Sequence, residues 1–120
     1  MAFTLKDELC RRTKALAHVC VKLATSLPDT QLCRVISHQL IKSSTSSAAN
    51  YRASCLAQSK AQLKAKLSIV IEELDETKFW TEFLFEEDLI DSRKADPIIV
   101  ESTELLKVLI SSRMTLQRMK

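Results

Sequence analysis

Residues 39–59 read QLIKSSTSSAANYRASCLAQS, and the fold turns on whether this stretch is a linker or a helix. Serine, threonine and asparagine are weak helix formers because their short side chains compete for backbone hydrogen bonds. Runs of them commonly mark loops. The surrounding register argues otherwise. Leu32, Ile36, Gln39, Leu40, Ser43, Ser46 and Asn50 recur at spacings of three and four, the period of one helix face. The face is apolar at its start and small and polar at its end. A hinge has no need to hold such a register. The pattern therefore predicts a continuous helix whose small side chains let a neighbour approach closely, with buried hydroxyls and amides seeking partners. The next helix offers Glu73, Glu76 and Thr77 at the matching height. The expected polar seam joins Gln39, Ser43, Ser46 and Asn50 to Glu73, Glu76 and Thr77, with Gln39 and Asn50 hydrogen-bonded across it.

Outward from this stretch the chain is punctuated as helices. Its 120 residues contain no glycine and two prolines, Pro28 and Pro97. Tight hairpins and phosphate-cradling loops depend on glycine, so the composition predicts an all-α fold. Thr4, followed by Asp7 and Glu8, suits a helix start, as does the Ser59/Gln62 pair as a capping box. Pro97 suits a first helical turn, with Asp96 before it as cap. These signals give helices over about 5–26, 30–57, 60–92 and 97–118. Short connections make sequential helices antiparallel neighbours, so the expected architecture is a single-domain, up-down-up-down four-helix bundle over 1–120.

The apolar stripes are wide. The first helix carries Leu5, Leu9, Leu16, Cys20, Leu23 and Leu27. The third shows Ile69, Trp80, Phe83 and Ile90 on one line and Leu63, Leu67, Val70, Leu74 and Leu84 on another. The fourth doubles Leu105, Leu109 and Leu116 with Leu106, Ile110 and Met114. A stripe wider than one core requires predicts a second buried surface, and hence self-association.

Charge is sorted by segment. Residues 1–66 hold eleven Lys/Arg against three Asp/Glu, and residues 67–91 hold one against nine. The third helix thus begins basic and ends acidic, the reverse of what the helix dipole favours. The basic cluster Lys42, Arg52, Lys60, Lys64 and Lys66 is the candidate nucleic-acid contact, through backbone phosphates. Basic and acidic regions meeting between subunits would explain the same sorting.

Catalytic and cofactor chemistry finds little to use. Carboxylate di-metal bundles need Glu-x-x-His pairs; His18 follows Ala15 and His38 follows Val35, so the motif is missing. The acidic cluster Glu72, Glu73 and Glu76 lacks a histidine partner. Cys10, Cys20, Cys33 and Cys55 form no CxxC pair and no zinc spacing, and read as reduced, small apolar residues. We expect no enzyme activity, no metal and no cofactor. The start MAFTLKDELCRR lacks a signal-peptide apolar core, and no stretch reaches membrane-spanning length. The expectation is a soluble cytoplasmic protein with no membrane partner.

The 39–80 stretch, QLIKSSTSSAANYRASCLAQSKAQLKAKLSIVIEELDETKFW, resembles the four helix bundle protein family, named for proteins encoded by intervening sequences in bacterial 23S rRNA genes. The resemblance rests on Gln39 and Leu40, Ser43 and Ser46, the Ala49-Asn50-Tyr51-Arg52 string, Ser59, Lys66-Leu67-Ser68-Ile69, Glu73, Glu76-Thr77 and Trp80. The chain departs from it at Ser47, where members often carry glycine, at Ala53, where an acid is usual, and at Leu63, where an aromatic is usual. The resemblance implies an antiparallel bundle that assembles as a ring-shaped homopentamer, and a bacterial source. A related branch holds the accessory variability proteins of diversity-generating retroelements, basic barrels understood to bind nucleic acid and the reverse transcriptase. Two functional expectations follow: a homo-oligomeric scaffold binding RNA or DNA through basic side chains, or an adaptor for a protein partner such as a reverse transcriptase.

Overall fold

The serine run is helical throughout. The computed structural model describes residues 3–119, and residues 43–50 lie inside the second helix. The four helices are α1 (Leu5–Thr25), α2 (Gln31–Ser54), α3 (Lys60–Glu86) and α4 (Ser92–Arg118). They form an antiparallel four-helix bundle in which α1 packs on α2, α2 on α3 and α3 on α4. Contact between α1 and α4 is thinner, and the molecule is flattened, 50 × 29 × 19 Å.

Local chemistry sets the helix ends. At α1, Thr4 Oγ1 accepts from the Asp7 N–H while the Asp7 carboxylate accepts from the Thr4 N–H, a complete capping box. At α3, Ser59 Oγ accepts from the Gln62 N–H, but the Gln62 side chain reaches one residue further back, to the Gln58 N–H.

The α3–α4 junction departs from the sequence expectation. Helix α3 stops at Glu86, not near Ser92, and α4 begins at Ser92, not at Pro97. Asp88 adopts φ 59°, the left-handed conformation usually given to glycine. The Leu89 N–H then donates to the Leu84 carbonyl, and the Asp88 N–H to that of Phe85. This is a Schellman closure built without glycine, aspartate being among the few residues that tolerate the geometry. Asp91, rather than Asp96, caps α4 by accepting from the Lys94 N–H. Pro97 falls in the second turn, where the Arg93 carbonyl loses its helical donor.

The core runs along the bundle through Leu9, Leu16, Cys20, Ile36, Leu40, Val70, Leu74, Leu84, Ile98, Leu105 and Leu109, all buried. Leu5 and Leu32 lie outside it and are exposed. The buried face of α2 is centred one position beyond the expected stripe, on Cys33, Ile36, Leu40, Ser43, Ser44, Ser47, Tyr51 and Ser54. Where α1 and α4 approach, Arg12 makes a bidentate pair with Glu101 (Nε–Oε2 2.9 Å) and reaches Glu104 at 3.1 Å. A two-pronged, partly shielded pair of this kind fixes orientation better than a single surface ion pair.

Candidate functional site: the two grooves beside helix α2

Helix α2 has a neighbour on each side, and the two contacts differ. On the α3 side, Ser43 and Thr77 are fully buried, and Thr77 Oγ1 lies 2.9 Å from Ser43 Oγ. Ser43 Oγ also donates to the Leu40 carbonyl, and Thr77 Oγ1 to that of Glu73. Ser44, Ser47, Ser54 and Thr81 follow the same habit, each bonding a carbonyl three or four residues back. This local satisfaction lets a hydroxyl-rich helix face be buried with few partners across the interface. Ser44 meets α1 rather than α3, beside the Cys20 thiol, so the serine run tightens both contacts. Burial pushes that thiol up to about 12, with the Ser44 hydroxyl opposing.

The other seam residues divide. Asn50 Nδ2 donates back to the Ser46 carbonyl and Oγ, while its Oδ1 accepts from Lys66 Nζ at 3.5 Å. The Asn50 amide thus serves mainly its own helix, and its cross-link goes to a lysine. Gln39 is half-buried and makes no side-chain hydrogen bond among the described residues. Glu76 accepts from Trp80 Nε1 at 3.3 Å within α3. Glu73 has one buried carboxylate oxygen without a partner. Burial raises its pKa, reinforced by Glu76 and Glu72 and opposed by Lys42 and the Ser46 hydroxyl.

On the α1 side the contact opens into a groove of about 690 Å³. Its floor is small and apolar: Cys10, Ala17 and Val21 from α1, Ala48 and Ala49 from α2. Its rim carries Arg11, Lys14 and His18 from α1 with Thr45 and Arg52 from α2. Arg11 is paired with Glu8 on its own helix.

The basic residues singled out from sequence do not share one face. Arg52 borders this groove, Lys66 reaches Asn50 on the opposite side of α2, and Lys42 stands near Glu73. Lys60 donates to the Met119 carbonyl at the end of α4, and Lys64 is half-buried on the first turns of α3. Arg11, Lys14 and His18 were missed because α1 and α2 are distant in sequence. Their i, i+3 and i+7 spacing on α1 was the available signal.

A third surface lies on α3. Phe79, Trp80 and Phe83 form an aromatic cluster, Phe79 and Trp80 meeting edge to face at 5.0 Å and Trp80 and Phe83 at 6.1 Å. Phe79 is 51% exposed. Ile69 on α3 and Ile110 and Met114 on α4 are also exposed. Among the described residues, no group of three or more His, Cys, Asp or Glu side chains is placed to hold a metal ion. Among the described residues, no helix is long and apolar enough to cross a membrane.

This is the architecture of a small helical-bundle protein with a hydroxyl-packed second helix. The profile of the 23S rRNA-intervening sequence proteins matches residues 6–111, and the chain belongs to that family. It is similar to a crystal structure of a protein with unknown function from the S23 ribosomal protein family of Bacteroides thetaiotaomicron. The TM-score is 0.83 with 33% sequence identity, over 91% of this chain and 97% of the other. No curated protein matches significantly.

Proposed function

We propose that this chain is a non-catalytic, self-associating scaffold that binds structured RNA through the α1–α2 groove. The observation that carries this reading is the gathering of Arg11, Lys14 and Arg52, with His18, around one floor of small side chains. Cations set on two rigid helices can follow a phosphate backbone, and alanines let that backbone come near. Lys42, Lys60, Lys64 and Lys66 add diffuse attraction from other sides. The family's link to intervening sequences of 23S rRNA supports RNA over DNA as the first ligand to test. The exposed apolar side chains of α3 and α4 support self-association.

Fluorescence anisotropy with a base-paired RNA fragment from such an intervening sequence tests the reading. Binding should weaken steeply with salt, change little with base sequence, and fall about tenfold in a Lys14→Ala/Arg52→Ala double variant. Absence of binding at low salt, or a double variant that binds as well as the parent, overturns it. Light scattering tests self-association, which a monomer at micromolar concentration would exclude.

A second reading is favoured by the aromatic cluster on α3. Phe79, Trp80 and Phe83 stand among Glu72, Asp75, Glu76 and Glu82. An aromatic patch with an acidic border suits a basic, apolar segment of a partner polypeptide, the adaptor role. Phe79→Ala/Phe83→Ala would remove such a partner while leaving RNA binding unchanged.

A further inference from the structure

Cys10 and Cys55 stand 45 residues apart in sequence, yet their Sγ atoms lie 3.8 Å apart where the start of α1 meets the end of α2. Both are half-exposed, in contrast to Cys20 and Cys33, which are buried. Cys10 lies on the floor of the α1–α2 groove, and Cys55 lines the depression that includes Leu5, Lys6 and Leu63. Solvent therefore reaches the pair from two sides. Cys55 is the C-cap residue of α2 and opens the turn leading to Ser59. A disulfide requires sulfurs about 2.05 Å apart. Each Sγ must then move by about 0.9 Å, a shift that side-chain rotation and adjustment of an exposed turn can supply.

We propose that Cys10 and Cys55 are a redox modification site, closing to an intramolecular disulfide on exchange with a small disulfide of the glutathione type. One thiol, as thiolate, attacks the glutathione disulfide, forming a mixed disulfide and expelling a glutathione thiolate. The second protein thiolate attacks the protein-side sulfur of that bond, forming Cys10–Cys55 and expelling the second glutathione thiolate. The two protons lost by the protein thiols end on the two expelled thiolates. Two protein thiols and one glutathione disulfide become one protein disulfide and two glutathione thiols. The bridge ties α1 to α2 at one end of the groove, on a loop long enough for a sizeable effect on the unfolded chain.

The test treats the purified full chain, under native conditions, with oxidised glutathione and reads the intact mass and the proteolytic map. The expected product has lost two hydrogens and retains no glutathione. It yields one cross-linked peptide pair containing Cys10 and Cys55, and dithiothreitol reverses the change. Its melting temperature rises on the order of 10 °C. Cys20 and Cys33 stay reduced, and Cys10→Ser and Cys55→Ser each prevent the cross-link. The native chain should close this pair faster than a chain held in denaturant, where all four thiols compete. A stable glutathione adduct, an intermolecular dimer, a different pairing, no change in mass, or equal rates with and without denaturant would each overturn the proposal.

Discussion

Ser47 and Ala49 are two residues apart on α2, and they mark two different solutions to helix packing. Ser47 is fully buried, its hydroxyl donating to the Ser44 carbonyl at 2.8 Å. Ala49 is exposed on the floor of the open groove. On the buried side, small size brings backbones together and hydroxyls bond within their own helix. On the open side, small size leaves a trough and long basic side chains stand at its edges. Small side chains therefore close one contact, where they are serines, and line an open trough, where they are alanines. What decides between them is the neighbour. Thr77 meets the buried face at Ser43, while Arg11, Lys14 and His18 line the open one.

The harshest test of this contrast is Ser47→Leu. Adding three carbons where no space exists forces the helices apart, and we expect a loss of about 3 kcal/mol or more by urea unfolding. A loss under about 1 kcal/mol would mean that the contact is looser than described and that the trough is not special.

A smaller effect is expected from Thr77→Val, which keeps the shape and removes the hydroxyl facing Ser43. Stability should drop by about 1 kcal/mol. The double-mutant cycle with Ser43→Ala sharpens the point. A coupling of about 0.5–1 kcal/mol means the bond across the seam contributes beyond the local ones. Zero coupling would show that each hydroxyl is content with its own helix and that the seam holds by shape alone.

These details explain what was legible in the sequence. The helices could be read because period and caps are local: Thr4, Thr30 and Ser59 each accept from a backbone N–H three residues on. The serine run could be read because a register survives whatever side chains fill it. The α3–α4 junction could not, since Pro97 looked like a first-turn residue while the real stop lay in the backbone angle of Asp88. In the seam, Ser43 and Thr77 could be paired from heights along two helices, but the half-buried Gln39 and the self-bonding of Asn50 depend on side-chain rotamers that no spacing encodes. The groove escaped because its walls are joined only by the packing of α1 on α2. The Cys10–Cys55 approach escaped for the same reason.

On the open side the matched substitution is Ala49→Leu. Its added atoms project into the trough, so stability should change by less than about 0.5 kcal/mol. RNA affinity should fall, since the floor would rise toward the phosphates. A destabilisation comparable to that of Ser47→Leu would erase the distinction between the two sides. An unchanged affinity would move the RNA contact away from this groove.

For Glu73→Gln the size matters less than the sign. Burial first, then Glu76 and Glu72, hold the Glu73 carboxyl above its ordinary value, against Lys42 and Ser46. At acid pH both the folded and the unfolded chain carry the proton. As pH rises past the ordinary carboxyl value, the unfolded chain releases it first, so Glu73 costs the fold increasing stability until its own folded value is passed. Glutamine removes that cost. The variant should therefore be slightly more stable than the parent at pH 7, and the gap should close in melts near pH 4. A variant less stable at pH 7 would mean that Lys42 holds a needed carboxylate. The α2–α3 side would then rest on an ion pair as well as on hydroxyls, with Lys42 serving the Glu73 carboxylate whose other oxygen has no partner.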